Sequence, residues 1–304
     1  MELLPGLYRI DASFDDVPLA LYLFEAEEGF VLVDSGCAGM PASVISPYLA
    51  RIGARLSDVL LVVNTHEHYD HTGGNAELRD AGARVAAAAP GTAWIENHQR
   101  ALREYHLFPE VMHYSTAELA GVLAKMGEEA GVDRVLYPGD LVKAGRYRLR
   151  VHAAPGHAAG GILLHDEEAG VLLSGDALQG EGLRLSSGLW LAPEYRDVLA
   201  YRSTLALAEH LAAELVLPSH HEPQQGAEAG RFVQQCHLAC QRLAEAVREA
   251  VSVLGGTAGL RTIGEQVAAW LGYQPTLELF TSVHAHLLEM GTDLGEPLQR
   301  EPSL

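Results

Sequence analysis

The sequence predicts an α/β fold followed by a helical appendage, and three features carry that reading. A strand–loop–helix–strand unit runs from Val59 to Ala89. Two pairs of apolar segments, Leu19–Phe24 with Phe30–Val33 and Gly161–His165 with Val171–Leu173, are joined by short polar turns and read as hairpins. After Gly226 the pattern changes to helix almost throughout. A chain of 304 residues, 48% hydrophobic, is ample for one large domain or for a domain with an appendage.

Taken in order, residues 7–10 and Leu19-Ala20-Leu21-Tyr22-Leu23-Phe24 are strands, Glu27-Glu28-Gly29 turns the chain, and Phe30-Val31-Leu32-Val33 returns. This strand ends at Asp34-Ser35-Gly36, and Pro41 opens a helix to about Arg51. Val59-Leu60-Leu61-Val62-Val63 is a buried strand opening into Thr65-His66-Glu67-His68-Tyr69-Asp70-His71. Three imidazoles and two carboxylates thus sit at the carboxyl end of a strand, where open α/β sheets keep their sites. His66 and His68 leave an extended backbone on the same side, and Asp70 continues the alternation. A curl into helix, eased by Thr72-Gly73-Gly74-Asn75, turns His71 the other way. Imidazoles with a carboxylate are ligands for zinc, and for manganese or iron where oxygen donors are more numerous.

Asn75–Ala81 is a short helix and Arg84–Ala89 a strand. Between Pro90 and about Gly139 the spacing predicts two helices, Thr92–Tyr105 and Thr116–Ala130, an insertion of the kind that forms a lid or pocket wall. Its Trp94, His98, Tyr105, His106, Phe108, Met112, His113 and Tyr114 suggest an apolar substrate pocket, although packing onto the body is the plainer role for any one of them. Tyr147–Ala153 is a strand running into Ala154-Pro155-Gly156-His157, and the second hairpin ends at Ser174-Gly175-Asp176. Glu194–Ala213 is an amphipathic surface helix, and Leu215-Val216-Leu217 leads into Pro218-Ser219-His220-His221. A long helix spans residues 228–253, Thr262 and Glu265 form a capping box, and a last helical stretch covers Ser282–Gly291. His284 and His286 read there as structural residues.

Composition narrows the partners. Lys+Arg 21 against Asp+Glu 40 gives a net charge of −19, too few cations for a chain that grips phosphates, which argues against a nuclease and against nucleic acid as a partner. No apolar run approaches a membrane span and no leader pattern opens the chain, so a cytoplasmic protein with no membrane partner is expected. Three cysteines do not make a disulfide framework. Cys236 and Cys240 lie one helical turn apart on a helix face, while Cys37, beside Asp34-Ser35-Gly36, is a candidate ligand or reactive thiol.

His66-x-His68-x-Asp70-His71 resembles the signature of the metallo-β-lactamase superfamily, and the resemblance extends along the chain. Asp34-Ser35-Gly36 is similar to that family's Asp-Ser/Thr-Gly loop, with Asp34 orienting a ligand. Pro155-Gly156-His157 resembles the turn carrying a third histidine, although Ala158-Ala159-Gly160-Gly161 lacks the hydroxyls that usually follow. Ser174-Gly175-Asp176 resembles the bridging carboxylate, and Pro218 sets the register that makes His220 the last ligand, with Ser219 and His221 in place of two glycines.

The resemblance implies a four-layer αββα sandwich over residues 1–225, with the helical insertion at about 90–139, and a C-terminal helical, winged-helix-like module over 226–304. It implies two divalent ions, zinc first and manganese or iron as alternatives. His66, His68 and His157 hold one; Asp70, His71 and His220 hold the other; Asp176 bridges. It also implies attack by a bridging hydroxide on an ester, thioester or lactone, with Asp70 steering the proton, as in glyoxalase II-like and lactonase-like members. Asp176 argues against β-lactamase activity, since that position usually holds cysteine or serine there. A persulfide dioxygenase-like oxidoreductase with one iron, a metal-bound sensor with poor turnover and, more remotely, a phosphodiesterase remain as alternatives. The expected partner is a small-molecule substrate, with His221 a further pocket contact and a homodimer compatible with the sequence.

Overall fold

A computed structural model describes residues 1–105, 115–255 and 258–291. Of the insertion's candidates, His106, Phe108, Met112, His113 and Tyr114 lie outside the described residues, as does the side chain of Tyr105.

The first half builds a seven-stranded sheet in simple chain order. Its strands are β1 (Glu2–Leu4), β2 (Leu7–Phe14), β3 (Val17–Ala26), β4 (Gly29–Val33), β5 (Val59–Val63), β6 (Arg84–Ala88) and β7 (Arg134–Leu136). The predicted first hairpin is β3–β4, with Tyr22 opposite Val33, whereas β4, β5, β6 and β7 run parallel. Parallel neighbours need crossovers. These are α1 (Ser46–Arg51, extended by a π turn at Pro41–Ile45), the pair α2 (Tyr69–Thr72) and α3 (Asn75–Asp80), and the insertion α4 (Ala89–Ile95), α5 (His98–Tyr105) and α6 (Thr116–Met126).

The second half builds a six-stranded sheet of order β15-β14-β11-β10-β9-β8. It comprises β8 (Leu141–Ala144), β9 (Tyr147–Ala153), β10 (Ile162–Asp166), β11 (Val171–Gly175), β14 (Leu215–Pro218) and β15 (Gln224–Gln225), with a small ribbon of β12 (Leu183–Arg184) and β13 (Trp190–Leu191) beside it. The second predicted hairpin is β10–β11, and β14 joins β11 in parallel through α7 (Val198–Leu211). The C-terminal module is α8 (Ala227–Leu254), α9 (Leu260–Leu271) and α10 (Leu277–Glu289).

Side-chain alternation explains the layers. The inward sets, Tyr22, Phe24, Val31, Val33, Leu61 and Val63 from one sheet and Leu149, Val151, Ile162, Leu164, Val171 and Leu173 from the other, form one core between the sheets. The outward set of the first sheet packs under α1 and α3, and that of the second under α7 to α10. The result is the expected αββα order.

Several element boundaries differ from the sequence reading. The predicted helix 92–105 is two helices, because Asn97 Oδ1 accepts the Arg100 amide (2.8 Å) and starts a new one. α6 stops at Met126 because Gly127 takes φ +70°, and a Cβ there would lie 2.7 Å from the Gly73 carbonyl. α7 begins only at Val198, where Asp197 Oδ1 accepts the Ala200 amide (2.9 Å). Thr262 is not a cap: α9 begins at Leu260 after Gly259, leaving Glu265 to pair with Arg261. No described helix is long and apolar enough to cross a membrane.

Candidate metal centre

Five strand ends converge on one rim: β4 leads to Asp34, β5 to His66–His71, β9 to His157, β11 to Asp176 and β14 to His220. Backbone bonds lace the sheets together there, from Ile162 N to Thr65 O (2.9 Å) and from Ala20 N to Ser219 O (2.7 Å). His68 keeps an extended backbone and α2 starts immediately after it, so Asp70 and His71 leave the direction set by His66 and His68. Gly156 carries φ +124° with the Tyr201 backbone 2.5 Å from where a Cβ would stand, the close approach that swings His157 inward.

Two donor groups result. His66, His68, His157 and Asp176 each present an atom within 4.8 Å of the others, and so do Asp70, His71, Asp176 and His220. Asp176 belongs to both. All seven predicted donors are therefore brought together, and His221 is in neither group.

The outer hydrogen bonds decide which imidazole nitrogens face inward with a lone pair. His157 Nδ1 lies 2.8 Å from the Glu194 carbonyl and His220 Nδ1 lies 2.7 Å from the Pro18 carbonyl. A carbonyl only accepts, so each Nδ1 carries the proton and each neutral ring keeps Nε2 bare. His71 Nδ1 donates to Asp34 Oδ2 (2.9 Å) in the same way. Asp34 also accepts from Thr65 N (2.7 Å) and Thr65 Oγ1 (2.8 Å), which leaves that hydroxyl oxygen to accept from His66 Nδ1 at 3.1 Å. One buried aspartate thus orients two imidazoles, His71 directly and His66 through Thr65.

Charge and burial match this arrangement in the first group. In the second, burial is outweighed by Asp70 and Asp176, which raise His71 and His220 above the usual imidazole range, so a cation there takes the place of a proton on each ring. Burial, with neighbouring histidines, holds His66 and His68 well below the usual imidazole range, and burial lowers His157 as well. For Asp176 burial alone would favour the neutral acid, yet His220 and His71 outweigh it and keep the carboxyl well below its ordinary value; for Asp70 they do the same. His71 Nε2 and Asp176 Oδ1 are buried with no hydrogen-bond partner, although His71 Nε2 stands 3.4 Å from both carboxylates. Converging lone pairs, ionised carboxylates and orphaned inward atoms are what divalent cations satisfy, and the imidazole-rich set suits zinc.

A cavity of about 430 Å³ opens on these donors. Apolar residues dominate its wall: Phe14 and Val17 from either side of the β2–β3 turn, Leu102, Val122 and Met126 from the insertion, and Leu277 from α10. Polar groups reach it from Gln179, Glu194, Arg196 and Glu278. Among the described residues the insertion lines the cavity through Ala101, Leu102, Val122 and Met126. Trp94 and His98 are absent from the lining: Trp94 donates Nε1–H to Glu104 and lies under the Arg100 guanidinium (5.5 Å), while α5 turns Ala101 and Leu102 inward instead. His221 does line the cavity, with its ring 5.1 Å from that of Phe232.

Residues 17–220 match the Metallo-beta-lactamase superfamily. The chain belongs to that superfamily. A hydroxyacylglutathione hydrolase from Rhodospirillum rubrum is 30% identical over 146 residues, 48% of this chain and 44% of that relative, so the chain spans under half of its length. The acyl-coenzyme A thioesterase MBLAC2 of Bos taurus is 29% identical over 217 residues, 66% of this chain and 72% of that protein. Among solved structures, a metallo-beta-lactamase family protein from Thermus thermophilus superposes with TM-score 0.75 at 25% identity over 95% of each chain. The subclass B3 enzyme BJP-1 of Bradyrhizobium japonicum shares the fold, with TM-score 0.55 at 20% identity over 82% of this chain and 96% of its own.

The departures from the superfamily motifs have local explanations. Where Ala158-Ala159-Gly160-Gly161 lacks hydroxyls, the Glu67 carboxylate accepts the Ala159 (3.1 Å) and Gly160 (3.0 Å) amides and pins the loop behind His157. Ser219 serves as a strand junction, donating its amide to the Gly175 carbonyl (3.2 Å). Cys37 is buried, which pushes its thiol up to about 12 and removes the basis for a reactive role. The supporting roles of Glu67, Glu194 and Gln179 escaped the sequence reading. Glu67 stood inside the histidine cluster, whereas Glu194 acts on His157 through a backbone carbonyl, for which no side-chain signal exists.

Proposed function

We propose that the chain is a metal-dependent hydrolase of acyl substrates, thioesters first and esters or lactones beside them. The observation that carries the reading is the pair of donor groups sharing Asp176 at the floor of a mostly apolar cavity. In this reading His66, His68 and His157 hold one divalent ion, and Asp70, His71 and His220 hold a second, with Asp176 shared and zinc the preferred metal. Divalent ions so held supply Lewis acidity, which makes water nucleophilic near neutral pH and offsets negative charge developing on the acyl oxygen.

The chain's own groups do the rest. The apolar wall of Phe14, Val17, Leu102, Val122 and Met126 receives the acyl tail and excludes bulk water. Water adds to the acyl carbon and the carbon–sulfur bond breaks. Asp70, which lines the cavity, takes up the proton released by the water and delivers it to the departing thiolate, giving acid and thiol. The names of the two curated relatives, a hydroxyacylglutathione hydrolase and an acyl-coenzyme A thioesterase, favour the thioester.

The test is metal content per chain on freshly purified protein, with turnover of a small ester, thioester, lactone and phosphodiester panel. Two ions per chain, and acyl turnover abolished in both His68→Ala and Asp176→Ala, is the expected result. One iron per chain without hydrolysis would overturn it in favour of oxygen chemistry.

A further inference from the structure

Outside the donor groups the cavity wall carries the charged side chains of Glu67, Glu194, Arg196 and Glu278, and among the described residues Glu278 is the one with neither an ion pair nor a pair of backbone amides from another segment. Glu278 stands in the first turn of α10 and lines the same cavity as Leu277, Phe14 and Val17, near enough to Glu194 to feel its charge. A carboxylate in a helix's first turn is ordinarily a solvated group that complements the helix dipole. Here it faces a largely apolar chamber, and among the described residues no cation pairs with it. The other carboxylates of the wall outside the donor groups are accounted for. Glu194 has Arg196 at 3.5 Å, and Glu67 is held by the Ala159 and Gly160 amides. Burial, and then the nearby Glu194 charge, raises the Glu278 carboxyl above its ordinary value, and hydrogen bonds from Thr276 and from its own backbone offset this only in part, so the ionised form lacks a countercharge. A cation entering the cavity offsets that cost through a charge-assisted hydrogen bond, whereas a second anion adds to it.

We propose that Glu278 is a specificity-determining residue that selects acyl groups bearing a protonated amine at the end of an apolar chain. The proposal rests on the acyl-hydrolase reading and gives its substrate class. The apolar wall takes the methylene body, the donor groups take the acyl carbon, and Glu278 takes the ammonium. The C-terminal module thereby enters the chemistry as the part of the chain that reads the far end of the substrate.

The test uses zinc-loaded full-length protein and three thioesters of one neutral thiol, N-acetylcysteamine, carrying hexanoyl, 6-aminohexanoyl or adipoyl groups. Wild type should show kcat/KM highest for 6-aminohexanoyl, about tenfold above hexanoyl, and lowest for adipoyl. Glu278→Gln, close in size and uncharged, should raise KM for 6-aminohexanoyl about tenfold, with kcat and the hexanoyl values nearly unchanged. Glu278→Asp should keep the order of preference. Calorimetric binding of hexylammonium against hexanol is read in parallel without turnover. Should hexylammonium bind wild type and not Glu278→Gln while no thioester is cleaved, the selectivity stands and acyl hydrolysis falls. Should wild type cleave hexanoyl as well as or better than 6-aminohexanoyl, or Glu278→Gln lower both alike, the selectivity falls and acyl hydrolysis stands.

Discussion

Changing Asp34 to Asn should weaken metal binding, over and above a comparable loss in the stability of the fold. Asp34 sits at φ +63°, a region Asn tolerates at least as well as Asp, so the backbone is not strained by the exchange. The new amide oxygen still accepts the Thr65 amide, now at 2.7 Å. The other atom changes from acceptor to donor and confronts two groups that donate to it, Thr65 Oγ1 (2.8 Å) and His71 Nδ1 (2.9 Å). His71 relieves the conflict by carrying its proton on Nε2, the atom 3.4 Å from Asp70 and Asp176, and so loses the lone pair a cation needs. Thr65 turns to donate to His66 Nδ1, and the same tautomer shift reaches the other donor group. Loss of such an orienting partner weakens metal affinity about 10- to 100-fold, roughly 1.4–2.7 kcal/mol. The metal-free fold should lose about 1–3 kcal/mol from the broken buried bonds. Competition against a chromophoric chelator measures the affinity, urea unfolding measures the stability, and 15N NMR of the imidazoles reports the tautomers. Equal affinities in Asp34→Asn and wild type, with His71 still protonated at Nδ1, would refute the reasoning.

Three further outcomes follow from buried groups elsewhere. Glu67→Ala strands the Ala159 and Gly160 amides behind His157, so urea unfolding should show a loss of about 1–3 kcal/mol, with weaker zinc binding in the same titration. His286 is held down to about 4 by burial, against Glu289 at 3.5 Å and with Arg202 and Arg248 adding to the depression, while its Nε2 contacts Tyr195 Oη at 2.8 Å. The unfolded chain then binds the extra proton between pH 6.5 and about 4, so this contribution is intact above 6.5 and falls by up to about 3 kcal/mol as pH drops to 4. Urea midpoints of wild type and His286→Asn should converge over that window; parallel profiles would contradict it. All three thiols are buried, with Cys37 and Cys236 pushed up to about 12 by burial, so a disulfide reagent should titrate none in the native protein and three after denaturation.

The candidate metal donors were legible because their chemistry is local. Two histidines with alternating spacing after an apolar strand, a Pro-Gly-His turn and an aspartate closing a hairpin strand each keep their meaning wherever the chain goes, and all seven donors converge as expected. The strands were legible for the same reason, since a period of two with β-branched residues depends on neighbours along the chain. Helix ends were less so. Asn97 and Gly127 punctuate the insertion, but the spacing alone read through both. The short strands β7 and β8 carry too few residues for a periodic signal and are strands only because β6 and β9 supply their partners.

Among the described residues the substrate side of the site was legible only at His221, because a cavity wall is a property of surfaces meeting. Trp94 and His98 looked like pocket residues by type, yet α5 faces the cavity with Ala101 and Leu102, residues with no chemical signature. Glu278 lies 208 residues along the chain from Asp70, and nothing in its neighbourhood in sequence relates it to the metal donors. The sequence by itself determined the superfamily, the αββα layering and the seven candidate donors that the fold brings together, since each follows from residue type and short-range spacing. Only the tertiary structure decided which nitrogen each imidazole turns inward and which residues form the wall, and that an acidic group from α10 faces the cavity. Those are consequences of packing between elements distant in the chain, and no local pattern encodes them.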